Sequence, residues 1–263
     1  MSENALRLLL ALRAEFAQTE FVIAGLEEPV APGGRIAPLS IPVVLPDGRE
    51  EFLSVTGKID RIDCWEKDGQ GYVRVIDYKT GNREFSLDEV AEGLNLQMLL
   101  YLFSIWRGGK GELSGLRPAG ILYLPAGVLE PHLARDAGAE EQQAAREEGF
   151  AMNGLLLNDK TVLCAMEKDL AGRFLPVSMG KNKLKGEKWL AALEDFENLE
   201  WYALKLIQAM AGELLAGEIA PNPIQCGQRL PCRYCEFRAI CGYETADGVR
   251  APRKMTLEGI AAV

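Results

Sequence analysis

Apolar residues at Leu6, Leu9, Leu10, Leu12 and Phe16 recur at near-helical spacing, which predicts an amphipathic helix over Glu3 to Gln18. Phe21 to Leu26 reads as a strand. Glu27 to Leu39, with Pro29, Pro32, Gly33, Gly34 and Pro38, reads as a loop. Ile41 to Leu45 and Glu51 to Asp63 flank Pro46-Asp47-Gly48 and predict a hairpin; a second turn at Lys67 to Gly71 leads into Tyr72 to Tyr78. Ser86 followed three residues later by Glu89 is a capping-box start, and Asp88 and Glu89 suit the positive end of a helix dipole. Val90, Leu94, Met98, Tyr101 and Ile105 then fall on one stripe of a long helix that Gly108-Gly109 stops. Ala119 to Leu124 lacks polar alternation and reads as a buried strand.

Beyond that strand the pattern loosens. Arg135 to Glu148 is charged and Ala-rich, a surface helix or a mobile segment, and Phe150 to Phe174 has no clear period. Met179 to Lys188 carries Lys181, Lys183, Lys185 and Lys188, a contact for phosphates or simply a solvated turn. Trp189 to Ile219 predicts a long amphipathic helix, ended by Gly217, Pro221 and Pro223. The order α-β-β-β-α-β predicts an α/β fold of the α+β kind, a mixed sheet flanked by helices. Three consecutive segments are expected: a core over 1–130, a helical extension over 131–220 and a cysteine-rich tail over 221–263.

Composition adds bounds. A chain of 263 residues, 48% hydrophobic and 25% charged, can bury a sizeable core. No apolar run is long enough to span a bilayer and no signal-peptide layout opens the chain, so a cytoplasmic location and no membrane partner are expected. A net charge of −9 argues against a self-sufficient nucleic-acid binder. If DNA is the substrate, a local basic patch or partner domains must supply the backbone attraction.

The candidate chemistry lies between Gly57 and Tyr101. Asp77 and Lys79 are two apart on a strand and project to one face, and Asp60 ends up beside them if its strand pairs across the sheet. Paired carboxylates suit a hard divalent cation such as Mg2+. A lysine beside such an ion can orient the attacking water or neutralise a phosphate, which outlines a phosphodiester hydrolase. Blander readings exist for each: an Asp60 ion pair with Arg61 or a lysine, a strand-edge Asp77–Lys79 pair, and plain helix packing for Gln97 and Tyr101. Of six cysteines, Cys226, Cys232, Cys235 and Cys241 follow a C-x5-C-x2-C-x5-C spacing. Thiolates so clustered in a cytosolic chain point to a metal centre, with zinc and an iron–sulfur cluster both open. Cys64 and Cys164 read as ordinary core residues.

Taken in order, GKIDRID with Asp60, IDYKTG with Asp77, Tyr78 and Lys79, and QMLLY with Gln97 and Tyr101 resemble the motifs of the RecB-like branch of PD-(D/E)xK nucleases. Cys232-x2-Cys235-x5-Cys241 resembles the tail that closes an iron–sulfur staple in that branch. The PAGILYLP strand and the EEGFAMNGLLLND segment extend the likeness, which is greatest to AddB-type C-terminal nuclease domains of helicase–nuclease subunits. The resemblance implies a restriction-endonuclease-like core and an Mg2+- or Mn2+-dependent DNA exonuclease. It further implies a helicase–nuclease partner subunit and a role in processing double-strand breaks for recombinational repair. Asp60, Asp77 and the Tyr78 carbonyl would bind the metal, Lys79 would serve the water or the phosphate, and Gln97 and Tyr101 would hold DNA or the active-site loop. Cys232, Cys235 and Cys241 would bind a [4Fe–4S] cluster (alternatively Zn2+), with Cys226 a candidate fourth ligand.

Two departures matter. The branch carries a metal-binding histidine ahead of the first strand and a further upstream cysteine, whereas here the only histidine is His132 and no cysteine precedes Cys64. The resemblance therefore implies a fragment, with those residues expected upstream of Met1. Other readings are a non-catalytic nuclease-like module that clamps DNA or partner subunits, and a nuclease of CRISPR adaptation.

Overall fold

The computed structural model describes residues 3–45, 47–81, 84–127, 138, 150–181, 183–243 and 248–263. Helix α1 (Glu3–Phe16) leads into strand β1 (Val22–Val30), the hairpin β2 (Ser40–Val44) and β3 (Glu50–Ser54), and the strands β4 (Gly57–Lys67) and β5 (Gln70–Lys79). Helices α2 (Leu87–Val90) and α3 (Gln97–Gly108) follow, then β6 (Arg117–Pro125), β7 (Asn153–Leu157) and helix α4 (Lys160–Met166). Short strands β8 (Ser178–Met179), β9 (Leu184–Lys185) and β10 (Leu190–Ala191) precede helices α5 (Leu193–Leu215), α6 (Arg238–Cys241) and α7 (Leu257–Ala261). His132 and most of Arg135 to Glu148 lie outside the described residues.

Two compact units are assembled from interleaved stretches. One unit comprises Met1–Leu39, Val55–Phe85 and Gln97–Glu197, and the other Ser40–Ser54, Ser86–Leu96 and Asn198–Val263. Within the first, the elements run α1-β1-β4-β5-α3-β6, the α-β-β-β-α-β order read from the sequence.

The first unit holds a six-stranded mixed sheet in the order β1-β4-β5-β6-β7-β10. The β1–β4–β5 pairs are antiparallel, β5 and β6 are parallel, β6 and β7 antiparallel, and β7 and β10 parallel. The parallel step needs a crossover, which α3 supplies. Its residues Met98 through Ile105 are all buried, as the almost unbroken apolar run MLLYLF requires. Ser104, the polar exception, donates its hydroxyl to the Leu100 carbonyl at 2.8 Å.

Four expectations change. The helix expected from Ser86 to Ile105 is two helices. Ser86 does cap α2, accepting the Glu89 N–H, but Gly93 (φ 77°) and Asn95 (φ 59°) then turn the chain left-handed before α3 begins. Asn and Gly are the residues that tolerate this region. The expected strand Glu51 to Asp63 is also two: β3 pairs with β2 alone, whereas β4 joins the six-stranded sheet. The loop expected from Glu27 begins later, because β1 continues in regular register with β4 to Val30.

The fourth change concerns α1. Leu6, Leu9 and Leu10 are 46%, 52% and 54% exposed, so they are not its inward stripe. The inward face is Leu8, Ala11, Leu12 and Glu15, which line a small cavity with Leu124, Phe150, Met152 and Phe174. Glu15 is buried and holds the helix to the sheet through charge. It accepts from Arg61 at 3.1 Å and from Arg74 at 2.6 Å, and both arginines also bind Asp63, at 2.6 and 2.9 Å. The four side chains carry two charges of each sign, so the buried group is neutral. Phe16 and Phe21 rings lie 4.4 and 5.0 Å from the two guanidiniums. Burial alone would lower the Arg61 pKa, but the Asp63 hydrogen bond and the charges of Asp63 and Glu15 raise it.

In the second unit, charge fastens the C-terminal segment to α2. Asp88 pairs with Lys254 at 2.8 Å, Glu89 with Arg229, and Glu92 with Arg250 and Arg253 at 3.0 and 2.9 Å. The hydrogen bond from Lys254 holds the Asp88 carboxyl below its ordinary value. Among the described residues no helix is long and apolar enough to cross a membrane.

Removing one member of the buried four-charge group leaves an uncompensated charge out of reach of water. Glu15→Ala should therefore destabilise the chain by about 3–5 kcal/mol. Arg49→Ala, which breaks the exposed Arg49–Asp47 pair, should cost less than about 1 kcal/mol. Urea unfolding of the two variants checks this, and equal small losses would contradict it.

Candidate active site

The site follows from strand alternation. On β4, Asp60, Ile62 and Cys64 project to one face and Arg61 and Asp63 to the other. The β4–β5 ladder pairs Arg61 with Ile76, and directly paired residues share a face. Arg74, Ile76 and Tyr78 therefore lie on the face of the buried charge group, and Val73, Val75, Asp77 and Lys79 lie on the other, with Asp60. Continuing the register by one residue past Arg61–Ile76 sets Asp60 opposite Asp77.

Hydrogen bonds fix this end of the sheet. Asp60 Oδ2 accepts the Tyr78 N–H at 3.0 Å, tying the β4 carboxylate to the residue after Asp77. Asp77 is 6% exposed, and the Lys79 ammonium lies 2.6 Å from its Oδ2. That contact is an ion pair off the hydrogen-bond direction, since Oδ2 takes no hydrogen bond among the described residues. Lys79 Nζ also stands 5.8 Å from the centre of the Tyr123 ring, supplied by the neighbouring β6. A buried carboxylate oxygen short of donors, beside a second carboxylate, fits a hard divalent cation, which takes oxygen ligands and keeps water in its remaining positions. Asp60 and Asp77 are the residues that would hold it. The Tyr78 side chain turns to the opposite face, which leaves only its backbone for such a role.

On α3, the exposed Gln97 and the buried Tyr101 are one turn apart, and the Gln97 amide donates to the Tyr101 hydroxyl at 3.2 Å. The same oxygen accepts the Lys58 N–H at the start of β4, at 3.3 Å. The sequence motif thus joins α3 to the strand that carries Asp60. Lys58 itself pairs with Glu27, a β1 residue with left-handed backbone (φ 51°). Sequence reading missed this pair, because neither residue stands out in a strand pattern.

The cysteine tail is different. Among the described residues no group of three or more His, Cys, Asp or Glu side chains is gathered to hold a metal ion. Cys226 sits in a tight turn, its backbone exchanging hydrogen bonds with Arg229 at 2.9 and 3.0 Å. Cys235 and Cys241 are exposed. As placed, the four tail cysteines are not gathered around one position. The basic turn at Met179–Lys188 forms the hairpin β8–β9, in which Lys183 is occupied by Glu187 at 3.0 Å.

A mixed sheet ending in two aspartates and a lysine on one face defines the class. The sequence profile of the PD-(D/E)XK nuclease superfamily matches residues 2–242, and the chain belongs to that superfamily. Among curated proteins it is similar to a subunit of the ATP-dependent helicase/deoxyribonuclease of Symbiobacterium thermophilum, 36% identical over 82% of this chain and 19% of that protein. The corresponding subunits from Clostridium acetobutylicum and Thermoanaerobacter sp. (strain X514) are 34% and 32% identical. They match 88% and 78% of this chain, against 20% and 18% of their own lengths. The chain thus spans about a fifth of the length of the curated relatives it matches.

The thiols allow a check of this face. Burial, then the charges of Asp63 and Glu112, push the Cys64 thiol from 9.0 up to about 12. At pH 8 its thiolate fraction is then about a thousandfold lower than that of an unshifted thiol, and only the thiolate reacts. Iodoacetamide should alkylate exposed Cys235 and Cys241 and spare Cys64 until the chain unfolds, as read by mass spectrometry. Because the folded value is raised, stability is unaffected below pH 9.0 and falls as pH climbs towards 12. Early labelling of Cys64 would contradict its placement.

Proposed function

We propose that the chain is the nuclease module of a larger helicase–nuclease that works with a partner subunit on DNA double-strand ends for recombinational repair. It is a deoxyribonuclease, of the exonuclease kind, that hydrolyses phosphodiesters with Mg2+ or Mn2+. The observation that carries this reading is the meeting of Asp60, Asp77 and Lys79 at one end of one sheet face.

Asp60 and Asp77 would hold the cation, joined by the Tyr78 carbonyl. Such an ion, when bound, lowers the pKa of a water ligand and offsets charge on the scissile phosphate. Lys79, with its side chain 29% exposed and anchored by Asp77, reaches toward solvent where a phosphate oxygen would arrive. Its role is to orient the attacking water or to stabilise the added negative charge as the phosphorus becomes pentacoordinate. Gln97 and Tyr101 hold the start of β4 against α3. A net charge of −9 supports a partner that supplies much of the attraction for DNA. The names of the curated relatives, which join helicase and deoxyribonuclease activities, support the same assignment.

Asp77→Ala and Lys79→Ala should each lower Mn2+-dependent cleavage of end-labelled duplex DNA by about a hundredfold or more. The assay uses the intact protein with its partner, and thermal unfolding should show both variants folded. Cleavage retained in either variant would refute the catalytic assignment and leave a nuclease-like module that clamps DNA or its partner.

A further inference from the structure

Gly57 and Tyr101 meet where β4 begins, and we infer that this pair is a positioning device for Asp60, three residues further along the strand. Gly57 is not in the left-handed region, so backbone freedom does not explain the glycine. Space does. A Cβ there would fall 2.8 and 2.9 Å from Cε1 and Cζ of Tyr101, and closer still to its hydroxyl. Tyr101 is 8% exposed within α3, a helix buried along its length, so its ring has little room to withdraw.

The closeness has a use. On its β5 side, the ladder of β4 stops at Arg61, short of Lys58. The first residues of β4 therefore have fewer backbone partners than the rest of the strand. The Tyr101 hydroxyl stands in for one of them by accepting the Lys58 N–H at 3.3 Å. Two residues on, Asp60 accepts the Tyr78 N–H at 3.0 Å. A line of contacts thus runs from Tyr101 through the Lys58 backbone to Asp60 and on to the strand bearing Asp77. Tyr101 acts on the protein backbone, and Gly57 is the vacancy that admits it. The value of placing Asp60 rests on the nuclease reading; the placement itself does not.

Amide hydrogen exchange on the full chain tests the inference. Tyr101→Phe keeps the ring and removes the acceptor, and Gly57→Ala displaces it. Each should speed exchange at Lys58 and at Tyr78 by about tenfold or more, with Ile121 and Leu122 in the β5–β6 ladder unchanged. In a Gly57→Ala, Tyr101→Leu double variant the smaller side chain clears the space. Lys58 should then exchange no faster than in Tyr101→Leu alone, the non-additivity expected of a touching pair. Unchanged exchange at Lys58 in Tyr101→Phe would overturn the inference, and so would an effect at Lys58 that stops short of Tyr78. Should Gly57→Ala fail to fold, Tyr101→Phe decides. Mn2+ affinity, measured on the wild type and on Asp77→Ala, judges the nuclease reading separately. Affinity untouched by Asp77→Ala would end that reading and leave the exchange result standing.

Discussion

The pairing register of β4 with β5 governs both faces of the sheet at once. Arg61 opposite Ile76 and Asp63 opposite Arg74 set the buried charges on one side, and the same alternation sends Asp60, Asp77 and Lys79 to the other. A slip of one residue would exchange the two sets, burying lone aspartates under α1 and exposing the arginines. The four-charge group penalises that slip heavily, because any misplacement strands a charge without water. The register of the candidate site is thus protected from the face that does no chemistry.

Charge also explains what apolar burial does not. Leu6, Leu9 and Leu10 are too exposed to account for the docking of α1, whereas Glu15 reaches both arginines. In the second unit, α2 is a four-residue helix with little of its own to hold it, and three acidic side chains bind four basic ones from the C-terminal region. These outer pairs are partly exposed and individually weak, so their number matters more than any one.

Much of the site was legible in the sequence because it depends on local periodicity. Asp77 and Lys79 share a face wherever a strand forms, and Gln97 and Tyr101 share one wherever a helix forms. What escaped depends on tertiary partners. The α1 stripe was misread because its decisive inward residue is a glutamate, which a hydrophobic pattern discards. The β3–β4 run looked continuous because the break at Val55–Thr56 carries no Gly or Pro, and only pairing with different partners separates the strands. The α2–α3 break had a signal, the Gly93-Leu94-Asn95 stretch, which the apolar stripe outweighed. The cysteine spacing was plain in the sequence, yet spacing does not bring side chains together, and these four are not gathered.

The most direct measurement is anomalous diffraction from crystals of the chain grown with Mn2+. The account predicts one manganese peak within ligand distance of both the Asp60 and Asp77 carboxylates, with the Lys79 ammonium turned aside from Asp77 Oδ2. Manganese elsewhere, or none at these carboxylates in a crystal that holds it, would contradict the account.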